Sequence, residues 1–117
     1  MYTLYYSPGA ASLVVHWLLI EIGAKHELRK LDLAAGEHKR ADYLALNPNG
    51  TVPAIDDDGL VLFESLAITL HLARTRPEGG LWAASAAGPS QILQWTLWAA
   101  TEIEPLARQW YRQGRQA

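Results

Sequence analysis

Cysteine is absent from all 117 residues, which removes disulfides, Cys-ligated zinc, iron–sulfur sites and any thiol or dithiol chemistry carried by the protein itself. Sulfur chemistry, if it occurs here, must be brought by a ligand. An excess of one charge is missing too. Ten Lys plus Arg stand against twelve Asp plus Glu, a formal charge of -2, so no global field favours nucleic acid or an anionic membrane. The apolar runs fall far short of a membrane span, and Met1-Tyr2-Thr3-Leu4-Tyr5-Tyr6 has neither a basic flank nor a small-residue cleavage site. A cytoplasmic protein with neither nucleic acid nor membrane as partner is therefore expected. No fixed-period repeat occurs. His16, His26, His38 and His71 form no close pair at ligand spacing, and Asp56-Asp57-Asp58-Gly59 lacks the rest of a calcium loop, so no metal is expected.

What the chain does have is a hydrophobic half and a regular alternation of element signals. Tyr2 to Tyr6 is apolar and aromatic and stops at Ser7-Pro8-Gly9, a strand followed by a turn. Ser12 to Ile22 is apolar on nearly every side, which predicts a largely buried helix ended by Gly23. His26 to Leu33 alternates in part and predicts a second strand. A polar loop over 34–40 and a short helix carrying Tyr43, Leu44 and Leu46 lead to the breaker Asn47-Pro48-Asn49-Gly50. Val52 to Ile55 and Leu60 to Phe63 flank Asp58-Gly59, a hairpin signal. Ser65 then opens a helix with Arg74 and Arg76 at its carboxyl end. The order is βαβαββα. A stretch rich in Gly, Ala and Ser follows as a linker, and from Gln91 a long helix carries an apolar stripe beside Trp95, Trp98 and Trp110 that needs cover.

Four blocks then carry a resemblance: 5–12 (Tyr5-Tyr6-Ser7-Pro8-Gly9-Ala10-Ala11-Ser12), 35–38 (Ala35-Gly36-Glu37-His38), 47–55 (Asn47-Pro48-Asn49-Gly50-Thr51-Val52-Pro53-Ala54-Ile55) and 63–68 (Phe63-Glu64-Ser65-Leu66-Ala67-Ile68). In order and spacing the chain resembles the amino-terminal half of a cytosolic glutathione transferase, nearest to the bacterial beta-like subgroup. The resemblance implies an α/β fold: a thioredoxin-like βαβαββα domain over 1–76 that binds glutathione, a linker over 77–90, and over 91–117 the first helix of a truncated all-α domain. Family members run to about twice this length, so either a fragment of a longer protein or an unusually short natural protein is expected. It further implies a homodimer that uses reduced glutathione as co-substrate against a small hydrophobic electrophile.

Taken alone, Val52-Pro53 is a strand start with an ordinary trans bond; the resemblance implies cis, with the Val52 backbone turned outward to receive the cysteinyl unit of the tripeptide as an added strand. Ser65 alone is a helix cap; the resemblance makes Glu64 and Ser65 contacts to the zwitterionic γ-glutamyl end. His38 and Lys39 are either part of a solvated cluster with Arg40 or, by resemblance, contacts to the glycyl carboxylate. Ser12 and Ser7 are the candidate catalytic residues. A thiol of pKa about 8.5 is roughly 3% thiolate at pH 7, and moving it to about 6.5 needs roughly 2.7 kcal/mol of preference for the anion. One hydroxyl bond to the anion supplies about 1.5–3 kcal/mol and a helix N-terminus roughly 0.3–1. Ser12, at the start of the first helix, is expected to be the better placed of the two, its alternative being a helix cap. The chain departs from the subgroup at Ala11, where a cysteine is usual, and at Leu97, Glu104 and Pro105, where polar residues are usual. An insect-type serine falls near Gly9 or Ala10. Ala11 and the tryptophan stripe of the last helix favour a second reading, a noncatalytic glutathione-binding or dimerisation module.

Overall fold

The computed structural model describes residues 1–9, 11–83 and 85–116, which form two compact units, Met1–Leu81 and Trp82–Ala117. The first unit is a four-stranded mixed sheet with helices on both faces, the thioredoxin-like arrangement anticipated above. Its strands are β1 (Tyr2–Tyr6), β2 (His26–Lys30), β3 (Ala54–Asp57) and β4 (Leu60–Phe63), and its helices are α1 (Ser12–Glu21), α2 (Ala41–Leu46) and α3 (Ser65–Thr75). The order across the sheet is β2-β1-β3-β4; β1 and β2 run parallel through α1, and the remaining pairs are antiparallel.

Alternation along β1 sends Tyr2, Leu4 and Tyr6 to one face, where they meet Val15 and Leu19 of α1, Ile22 just past its end, and Ile68 and Leu72 of α3. Leu4, Val15, Leu19, Ile55, Ile68 and Leu72 are wholly buried, and each contributes about 1.5–3 kcal/mol of transfer free energy. On the opposite face Tyr5 packs against Tyr43 of α2, ring centroids 5.7 Å apart. The hairpin between β3 and β4 turns through Asp58 and Gly59, both at positive φ (48° and 98°), the combination that suits the twist of a two-residue turn. His71 ties α3 to the sheet through Asp57 of β3, Nε2 to Oδ2 2.8 Å.

In this first unit three expectations need correction. The first helix is not largely buried. Only its inner side packs on the sheet, while Leu13 (66% exposed), Val14, Trp17 (67%) and Ile20 face outward. A helix apolar all round hides the face that meets the sheet; the composition does not supply a second layer. The second strand ends at Lys30, so Leu31 and Leu33 belong to the segment that leaves the sheet, and β2 is a charged edge strand. The third strand starts at Ala54, two residues later than its apolar run, because Pro53 has no N–H for the ladder.

In the second unit, the single long helix is interrupted. The helix α4 (Gly88–Trp98) passes through a π-helical turn (Ala99–Ile103) into α5 (Glu104–Gln116). Glu104 donates to the carbonyl of Ala99, five residues back, immediately before Pro105, which has no N–H to continue the regular ladder. Trp95 and Trp98 meet edge to face at 5.5 Å and, with Leu106 and Trp110, remain exposed. Among the described residues no helix is long and apolar enough to cross a membrane.

Candidate functional site

Strand register decides which segments meet. Tyr5 lies opposite Ala54, Ala54 opposite Phe63, and Tyr6 opposite Lys30. The ends of β1, β2 and β4 and the start of β3 therefore share one end of the sheet. From that end extend Ser7, Leu31, Glu64 and, backward from Ala54, Pro53 and Val52. Four of the six expected ligand-contact residues, Val52, Pro53, Glu64 and Ser65, are thereby brought together by backbone pairing alone.

The Val52-Pro53 bond is cis. Val52 lies just outside the ladder, and among the described residues no backbone hydrogen bond uses its N–H or C=O. Pro53 is buried. The segment before them is built with care. Asn47, wholly buried, donates through Nδ2 to the carbonyl (2.8 Å) and hydroxyl (3.2 Å) of Thr51, and its Oδ1 accepts the N–H of Asn49 at 3.0 Å. The Tyr43 hydroxyl donates to the same Thr51 carbonyl. Burial pushes the Tyr43 phenol above its ordinary 10.0, partly offset by the Asn47 side chain and reinforced by Tyr5.

His38 and Lys39 sit in a short 3-10 turn against this segment, with Lys39 Nζ 3.5 Å from the carbonyl of Asn49. A Cβ on Gly50 would lie 2.9 Å from Lys39 Nζ and 3.0 Å from the His38 carbonyl, so only glycine permits the approach, and its φ of 58° adds a second reason. His38 Nδ1 is buried without a hydrogen-bond partner among the described residues.

Glu64 has φ 74° and ψ 113°, a conformation an L side chain adopts only under constraint, and it stands as the cap residue of α3 without a side-chain capping bond. Ser65 is the first residue of α3 rather than its cap, and among the described residues its hydroxyl has no partner. A strained acidic residue, a free hydroxyl and the unmade N–H groups of an eleven-residue helix thus adjoin one another, able to meet both charges of an amino-acid headgroup.

At the β1–α1 turn the two serines differ. The Ser12 hydroxyl is buried (1% exposed), donates to the Ser7 carbonyl at 3.0 Å and accepts the Ser7 N–H at 3.2 Å. It does not cap α1; Ala11 holds the cap position and offers no side-chain bond, while Ala10 lies outside the described residues. Ser7 instead lines an open cleft of about 550 Å³ with Pro8, Lys30, Leu31, Asp32, Leu33, Ala34 and Glu37. Val52, Pro53, Glu64 and Ser65 do not line that cleft. Among the described residues no three metal-ligating side chains gather into a group. The positioning residues that the sequence reading passed over are Asn47 and Tyr43. The Asn47-Pro48-Asn49-Gly50 breaker marked the turn without showing that a buried amide organises it.

Comparison with known proteins agrees with this geometry. The family model described as glutathione S-transferase, N-terminal domain, matches residues 1–74. Glutathione S-transferase APIC of Nicotiana tabacum is 44% identical over 72 residues, 62% of this chain and 34% of the relative, and glutathione S-transferase GstA of Escherichia coli O157:H7 is 38% identical over 103 residues, 86% and 51%. The solved structure of Ure2p in complex with glutathione superposes with a TM-score of 0.83 at 33% identity, covering 92% of this chain and 48% of that one. This chain spans about half or less of the length of these relatives.

Proposed function

This chain belongs to the glutathione S-transferase family, and from that premise we propose that the end of its sheet binds reduced glutathione and holds the thiol as thiolate for attack on a small hydrophobic electrophile. The observation that carries this reading is the Glu64-Ser65 corner. A non-glycine residue at φ 74° beside an unpartnered helix-start hydroxyl sets a carboxylate, a free hydroxyl and a helix N-terminus side by side, which supports a ligand carrying both charges. Ser65 and the α3 N-terminus take the γ-glutamyl carboxylate, and Glu64 takes the ammonium. Val52, with Pro53 behind it, pairs its backbone with the cysteinyl unit. His38 and Lys39, held against Gly50, face the glycyl carboxylate, and the turn carrying Ser7 and Ser12 receives the sulfur.

Chemistry then needs positioning and charge stabilisation only. The thiol proton passes to solvent. The thiolate electron pair forms a sulfur–carbon bond as the bond from that carbon to its leaving group breaks, and the leaving group departs with those electrons. The setting we propose is a cytoplasmic homodimer of the complete protein.

Calorimetric titration of reduced glutathione tests the reading. Glu64→Ala and Ser65→Ala should each weaken binding about tenfold or more, as expected for loss of a charge-assisted hydrogen bond of about 1.5–3 kcal/mol. Unchanged affinity in both variants would refute it. A second reading, glutathione binding without turnover, is favoured by Ala11, which leaves the start of α1 without a side-chain group. Turnover of a chloro-nitroaromatic separates the two.

A further inference from the structure

The Ser12 hydroxyl has one proton, and that proton is already given. It goes to the carbonyl of Ser7, while a lone pair of the same oxygen accepts the N–H of Ser7, so both backbone groups of one residue are gripped by one side chain across five positions. Burial to 1% exposure closes the oxygen to any larger partner. The Ser7 hydroxyl is in the opposite condition. Ser7 takes part in these bonds through its backbone alone, its side chain has no partner among the described residues, and it borders the open cleft beyond the end of β1. The charged groups facing it there are Lys30, Asp32 and Glu37. Asp32 Oδ1 accepts the N–H of Ala35, and Glu37 accepts the N–H of Asp32 and approaches Arg40, so both acids are already engaged.

From this contrast we infer that Ser7 donates the hydrogen bond that holds the sulfur anion, and that Ser12 is a positioning residue whose hydroxyl fixes the Ser7 backbone so that its side chain meets the sulfur. The division of labour reverses the order expected from the start of the helix. It rests on the glutathione-binding reading above and goes beyond it, since that reading leaves the donor to sulfur open.

The experiment is a double-mutant cycle on the 117-residue chain, with the pKa of bound glutathione read from the ultraviolet absorbance of its thiolate, and binding measured in parallel by calorimetry. Ser7→Ala should raise the pKa of the bound thiol by about one unit, a tenfold loss of thiolate, with thermal stability unchanged. Ser12→Ala should lower thermal stability and raise that pKa, Ser12→Thr should restore both, and Ser12→Ala added to Ser7→Ala should raise the pKa no further. An unshifted pKa in Ser7→Ala overturns the assignment whether or not Ser12→Ala folds. A further rise in the double variant, equal to that of Ser12→Ala alone, makes Ser12 the direct donor and overturns it as well. Absence of any binding by the unmodified chain overturns the underlying reading; binding with the wrong pattern of shifts overturns only this one.

Discussion

Asn47 holds Thr51 by two bonds from one amide nitrogen, 2.8 Å to the carbonyl and 3.2 Å to the hydroxyl, and so shapes the turn that delivers Val52 to the end of the sheet. Asn47→Ala removes three hydrogen bonds from a wholly buried position and should cost about 2–3 kcal/mol in urea denaturation, together with weaker glutathione binding. Asn47→Asp keeps the acceptor for Asn49 but cannot donate, and should be no better. A neutral effect of both changes on stability would remove Asn47 from the account.

Gly50 is where two parts of the proposed site touch. Gly50→Ala forces a Cβ to within 3.0 Å of the His38 carbonyl and requires an unfavourable positive φ, so a loss of about 1–3 kcal/mol is expected. Glutathione affinity should fall with it, since Lys39 is displaced from Asn49. Denaturation and calorimetry on the same variant check both effects.

Glu64→Gly should separate stability from binding. Glycine adopts φ 74° without steric penalty, so relief of strain should raise stability by up to about 1 kcal/mol while the acceptor for the ligand ammonium is lost. A variant that melts higher and binds glutathione more weakly is the expected result. One that melts lower would show that the Glu64 conformation is not strained.

Tyr43 predicts an alkaline weakness. Its phenol is raised above the ordinary 10.0 by burial, so above that pH the unfolded chain releases a proton that the folded chain still keeps. Its contribution is complete below pH 10.0 and is lost as the pH climbs through the folded-state value. The urea midpoint of the unmodified chain should fall over that range more steeply than that of Tyr43→Phe, which should be less stable at neutral pH for want of the bond to Thr51. Parallel slopes would refute the assignment.

The order of elements and the hairpin were legible because the signals are local: an apolar and aromatic run from Tyr2 to Tyr6 stopped by Ser7-Pro8-Gly9, a helical stretch ended by Gly23, and Asp58-Gly59 between two apolar runs. The cluster of Val52, Pro53, Glu64 and Ser65 was legible through family resemblance, and register supplies its physical basis. Other features depend on partners distant in space. Composition registers that Leu13 and Trp17 are apolar, but not that the sheet has room for only one side of α1. Nothing in the word Glu shows a positive φ, which the meeting of β4 and α3 imposes. The spacing of Ser7 and Ser12 is visible, whereas the direction of the Ser12 hydroxyl, back toward the strand it follows, depends on how tightly the turn closes. The break in the long helix was missed: Pro105 lacks the N–H that would continue the ladder, but the apolar spacing runs on across it.

The outward face of α1 bears on any practical use of the sheet unit. Leu13, Val14, Trp17 and Ile20 form a water-facing apolar strip on the helix that closes the core from the other side. An isolated scaffold made from residues 1–81 would be colloidally sticky for a reason unrelated to its fold stability. Recoding those four positions with lysine and glutamate should improve its solubility while leaving Val15, Leu19 and the packed interior untouched.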